Sequence, residues 1–143
     1  MATLLFKTEP STYSFRQLAA AKPARWDGVK NAAALQHLRA ARKGDEVFIY
    51  HTGDEKAIVG LAEITRAAYG DPASPGLNAK GEPKSAVVDL KALRSAPTPV
   101  TLAALKADAR FKDFVLIKQS RLSVMPVPPD LDKILRTLAG LAR

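Results

Sequence analysis

Asp45-Glu46-Val47-Phe48-Ile49-Tyr50-His51-Thr52-Gly53-Asp54-Glu55-Lys56-Ala57-Ile58-Val59-Gly60-Leu61-Ala62-Glu63-Ile64 is the stretch that decides the fold. Two apolar runs rich in β-branched and aromatic residues flank Thr52-Gly53-Asp54-Glu55, a cluster of turn formers, so the runs pair as a β-hairpin. The first run is apolar on both faces after Glu46. Gly60, inside the returning run, signals a bulge or a close backbone approach.

Working upstream, Asn31 is placed to cap a helix over Ala32 to Ala41, in which Leu35, Leu38 and either Ala34 or Ala41 form one buried stripe. Arg39, Arg42 and Lys43 suit its C-terminal end, and Gly44 stops it. The helix start therefore turns free N–H groups toward Trp26-Asp27-Gly28-Val29-Lys30-Asn31, a favourable place for an anion. Asp27-Gly28 reads as a tight turn, which puts the sole tryptophan of the chain on that turn. Earlier still, Leu4-Leu5-Phe6 is a strand that ends before Pro10. Ser14-Phe15-Arg16-Gln17 has the capping-box pattern for a short helix through Leu18 to about Ala20, broken at Lys22-Pro23.

Downstream, the proline- and glycine-rich segment from Asp71 to Pro83 reads as a long exposed loop. Ser85 to Leu90 is a strand, Pro97-Thr98-Pro99 turns the chain, and Thr101 caps a short helix through Leu102 and Leu105. Phe114 to Ile117 fits a strand or a helix. Ser120 to Val124 reads as extended, stopping at Met125-Pro126. Pro128-Pro129-Asp130 opens a last helix with Leu131, Ile134, Leu135 and Leu138 at i, i+3, i+4 and i+7. Five or six strands with short helices at the ends give α+β, a curled mixed sheet, in one domain over residues 1–143.

Composition narrows the function. The 22 basic and 14 acidic residues leave a net charge of +8, which suits a polyanionic partner. The basic residues are dispersed, so folding has to gather them. Cysteine is absent and the two histidines, His37 and His51, match no metal-ligand spacing, so no cofactor or metal is expected. No apolar run approaches the roughly 18 residues of a membrane span. With no signal-peptide pattern after Met1, a cytoplasmic, monomeric protein is the expectation.

Four blocks carry a resemblance. They are Leu5-Phe6-Lys7-Thr8-Glu9-Pro10 with Tyr13-Ser14, and Trp26 to Asn31. Gly44-Asp45 with Ile49-Tyr50-His51-Thr52 and Ile58 to Glu63 form the third, and Ser120 to Val127 the fourth. In order and spacing the chain resembles the EVE domain, a PUA-like β-barrel family related in shape to the YTH readers of methylated adenine. The resemblance implies a nucleic-acid reader whose pocket takes a flipped, modified base, with modified cytosine in DNA as the expected target and RNA as another. Lys30, Ala32, Leu35 and Ser85 stand where the family often carries arginine or an aromatic residue.

A base reader needs an aromatic face, groups that read the base edge, and cations for phosphates. Trp26 supplies the face, with Tyr50 as a second aromatic. Thr8, Ser14, Asn31 and the backbone at Gly28 are candidates for the edge, and Lys7, Lys30, Arg39 and Arg121 for the rim. The rival reading is a small PUA-like hydrolase acting on a modified nucleoside through Lys7, Thr8 and Glu63. Against it, Lys7 and Thr8 are neighbours on a strand and should point to opposite faces. A protein-interaction module using the loop from Asp71 to Pro83 is a third possibility.

Overall fold

A computed structural model describes residues 2–21 and 23–142. Met1, Lys22 and Arg143 lie outside the described residues, and with them part of the Lys22-Pro23 break and of the reading at the N-terminus. The elements run β1 (Thr3–Thr8), α1 (Phe15–Ala20), β2 (Ala24–Trp26), α2 (Ala32–Ala40), β3 (Glu46–His51), β4 (Ala57–Gly70) and β5 (Ala86–Thr101). Then come α3 (Leu102–Lys106), a 3-10 turn (Ala109–Phe111), α4 (Val115–Lys118), β6 (Val124–Pro126) and α5 (Pro129–Ala139).

The strands form one mixed sheet in the order β2-β5-β4-β3-β1-β6. Only β1 and β3 pair in parallel. No pairing joins the edge strands β2 and β6 among the described residues, so the sheet curls without closing. A flat sheet would separate β2 from β1 by roughly 19 Å, at about 4.8 Å per strand. Yet the Phe6 and Trp26 rings stand 5.5 Å apart. The curl brings the two ends of the sheet face to face, and Leu5, Phe6, Phe48, Ile49, Ile58, Ile64 and Leu90, from both faces of the sheet, are fully buried.

Local chemistry explains most of the boundaries. Ser14 and Gln17 make the reciprocal capping box, Asn31 accepts from the Ala34 N–H, and Thr101 from the Ala104 N–H. At Gly60 both expectations are met. The β3–β4 register skips Val59, and a Cβ on Gly60 would lie 2.5 Å from the Phe15 ring.

Four expectations need correction. Trp26 ends the strand β2, so the turn begins one residue later, where Gly28 has φ +76°. β5 runs straight through Pro97-Thr98-Pro99. Its register jumps from Ser95 opposite Gly60 to Val100 opposite Ile58, so residues 96–99 bulge out and neither proline owes the ladder an N–H. The extended stretch before Met125 is only β6, Val124–Pro126, because Ser120 and Arg121 form a turn. On α5, Leu138 is 38% exposed and Ala139 packs inside in its place. The ambiguous segment Phe114 to Ile117 is helical from Val115. No helix among the described residues is long and apolar enough to cross a membrane.

Candidate nucleic-acid interface

The seam where the curled sheet fails to close holds a cleft of about 530 Å³. Lys7 and Thr8 from the end of β1, Ser123 before β6, and Arg25 to Val29 from β2 and its turn line it, with Thr12 and Tyr13 closing one side. Each wall has a local cause. The Glu9–Tyr13 turn is closed by bonds from the Thr12 and Tyr13 N–H groups to the Glu9 carbonyl. Thr8 Oγ1 then donates to the Tyr13 carbonyl at 2.6 Å, tying that turn to β1. His51 Nε2 accepts the Phe15 N–H at 3.0 Å, and Glu55 holds His51 Nδ1 at 2.7 Å, so the start of α1 is anchored to β3.

Trp26 is only 7% exposed. Phe6 packs against it at 45° and Tyr13 meets it edge-on at 6.0 Å and 79°. Its Nε1 donates to no described residue, and a ring this buried offers the cleft no free face. Lys7 Nζ donates to the Ser120 carbonyl at 2.8 Å and stands 5.8 Å from the Tyr50 ring. Burial holds its pKa below the ordinary lysine value of 10.5. Burial, then the charge of Asp27, raises the pKa of Tyr13.

Of the residues singled out from sequence, Lys7, Thr8, Trp26 and Gly28 meet in this cleft. Lys7 and Thr8 share it despite the alternation of a strand. β1 ends at Thr8, and the long lysine stem reaches a rim whose wall Thr8 joins through Tyr13. The other candidates stand apart. Ser14 is spent on the α1 cap, and Asn31 on the α2 cap. Asn31 and Arg121 line a neighbouring groove of about 330 Å³ with Lys118 and Ser120. Tyr50 is buried. Lys30 is exposed between β2 and α2 and lines no part of the cleft. Arg39 lies in another groove, its guanidinium donating twice to the Pro83 carbonyl at 3.0 and 2.7 Å. The cleft residues that sequence reasoning missed are Thr12, Tyr13, Arg25, Asp27, Val29 and Ser123. Asp27 and Tyr13 lay inside the blocks already marked. Val29 and Ser123 lay inside those blocks too, whereas for Arg25 no local signal existed, since only the seam brings it in.

A family model described as the EVE domain matches residues 2–138. The chain belongs to the EVE domain family. Human thymocyte nuclear protein 1 is 33% identical to this EVE domain over 119 residues, 71% of this chain and 53% of that protein. The chain thus spans about half the length of the curated relatives it matches. Among solved structures, the NMR structure of a Rhodopseudomonas palustris protein is 45% identical with a TM-score of 0.88, covering 100% of this chain and 96% of that one. The crystal structure of human THYN1 in complex with DNA containing 5-methylcytosine has a TM-score of 0.88 at 28% identity, covering 97% and 98%. The EVE, PUA-like fold expected from the sequence is therefore the fold present.

The hydrolase constellation does not assemble. Glu63 pairs in register with Glu46, which faces Thr3. Glu63 is thus displaced along the sheet from Lys7 by four residues, roughly 13 Å at about 3.3 Å per residue. Its carboxylate meets Lys91 instead, at 3.7 Å.

Proposed function

We propose that this EVE domain is a non-catalytic DNA-binding reader that takes an unpaired, modified cytosine into the seam between β1 and β2. The observation that carries the reading is the cleft itself, where an aromatic wall, a carboxylate, an indole edge and a lysine converge in a volume of about 530 Å³. That size lies within the roughly 300–1,000 Å³ of small-ligand sites. The likeness to human THYN1, whose structure holds 5-methylcytosine DNA, supports it.

The chemistry fits cytosine. Asp27 is an acceptor suited to the exocyclic N4 amino group, and the Trp26 N–H a donor suited to a ring carbonyl. The Tyr13 ring and Val29 offer apolar surface to the base and to a 5-methyl group. Stacking and apolar cover are worth roughly 1–3 kcal/mol per base. Lys7 lines the same cleft and is a cation suited to a phosphate of the flipped nucleotide. The test is fluorescence anisotropy with matched single strands and duplexes carrying cytosine or 5-methylcytosine. Tighter binding of the modified strand is expected. Equal affinity across a panel of cytosine modifications would reduce the domain to a non-specific DNA binder. Product release from acylated cytidines, lost in Thr8→Ala, would restore the hydrolase.

A further inference from the structure

Arg25 is the exposed residue of a strand whose other two members, Ala24 and Trp26, are buried. Unlike most exposed arginines it is held. Its Nε donates to the Tyr69 hydroxyl at 3.3 Å, and that hydroxyl donates to Asp89 Oδ1 at 2.6 Å. Asp89 sits opposite Arg25 in the β2–β5 register, so the relay spans three neighbouring strands. The Arg66 guanidinium lies 3.7 Å from the centre of the Tyr69 ring and braces it from one side. No carboxylate comes within 4 Å of Arg25 among the described residues, and its two terminal nitrogens make no hydrogen bond there. The same side chain lines the mouth of the seam cleft.

We infer that Arg25 is a phosphodiester clamp at the lip of the seam, aimed by the Tyr69–Asp89 relay. This rests on the proposed DNA reading and assigns a contact that reading lacked. With Nε engaged, the terminal nitrogens present a planar pair of donors, the geometry that matches two oxygens of one phosphate. A base edge is the poorer match, because Arg25 is exposed at the mouth and the buried floor belongs to Trp26. Two arginines, Arg25 and Arg66, face two carboxylates, Asp71 and Asp89, in this neighbourhood. The local charge is balanced, so directed donors rather than a basic patch make the contact. Holding the guanidinium before DNA arrives lowers the ordering cost of the bond.

Anisotropy at three salt concentrations, with methylated and unmethylated strands, tests the clamp in the full chain. Arg25→Ala is expected to weaken both strands equally, by roughly tenfold, and to lower the log–log salt slope by about one. Tyr69→Phe keeps every charge and the Arg66 stack. It is expected to weaken both strands about fivefold, because the guanidinium loses its aim but not its charge, with the slope unchanged. Arg25→Lys should restore the slope but not the affinity. If wild-type protein binds DNA and Arg25→Ala changes neither affinity nor slope, the clamp is wrong and the reader survives. Loss of methyl discrimination in Arg25→Ala would make it a base contact and overturn the phosphate assignment. A Tyr69→Phe protein with full affinity would overturn the relay. Absence of DNA binding by the wild type at low salt would remove the reader itself.

Discussion

Trp26 shows how a single side chain serves the core and the cleft together. Its burial against Phe6 means that Trp26→Ala leaves a large void, costing about 3–5 kcal/mol in urea denaturation. That variant is a poor probe of recognition, and Asp27 is the better one. Asp27 makes no hydrogen bond within the described residues, so Asp27→Ala should change stability by less than about 0.5 kcal/mol. Its affinity for cytosine-bearing strands should nevertheless fall about tenfold, the scale of one charge-assisted bond. A stable Asp27→Ala protein with wild-type affinity would remove the N4 contact. Lys7 gives the pH dependence. Its native pKa lies below 10.5, so in the window between the two values the unfolded chain holds more protons and stability rises with pH. Over the same window the ammonium is lost, so DNA affinity should decline before ordinary lysines titrate, and Lys7→Arg should delay that decline. Lys7, Thr8, Trp26 and Gly28 were legible as candidates because their types and neighbours suit the chemistry. Tyr69 as the partner of Arg25 was not, since strand register alone brings the two together.

The elements carry two further predictions. Gly60 leaves room for the Phe15 ring, so Gly60→Ala should cost about 1–3 kcal/mol and loosen α1, whose preceding turn supplies Thr12 and Tyr13 to the cleft. Thermal melts read the first effect, and amide exchange at Phe15 the second. Arg136 staples α5 to the sheet through Glu46 on β3 at 2.7 Å, while Asp132 on its own helix holds the guanidinium at 2.7 Å, and its side chain is 7% exposed. Arg136→Ala should lose about 3 kcal/mol, as for other broken buried pairs, while DNA affinity at 25 °C is retained. Helix starts were legible because a cap needs only a few consecutive residues, as at Ser14, Asn31 and Thr101. The course of β5 was not. Pro97 and Pro99 look like a turn until β4 is seen to hold the strand on either side of the bulge.

At the scale of the whole molecule, curl and charge together carry the proposed reading. The net charge of +8 is spread over many elements, with no recognition helix, so bulk affinity for DNA should be electrostatic and fall steeply with salt. In the proposed reading, selectivity comes from the seam. The α+β class was legible from the hairpin and the helix stripes, and the family resemblance pointed to the curl. The cleft's outline was not, because it lies between strands at opposite ends of the sheet order. The chain has one tryptophan, so a nitrogen-labelled sample gives one indole N–H resonance, and the residue that carries it lines the cleft. The most direct measurement follows this peak while strands carrying 5-methylcytosine or cytosine are titrated at matched salt. A large shift with the methylated strand, at lower concentration than with the unmodified one, is the predicted result. An indole peak that stays in place while backbone resonances elsewhere move and saturate would contradict reading at the seam.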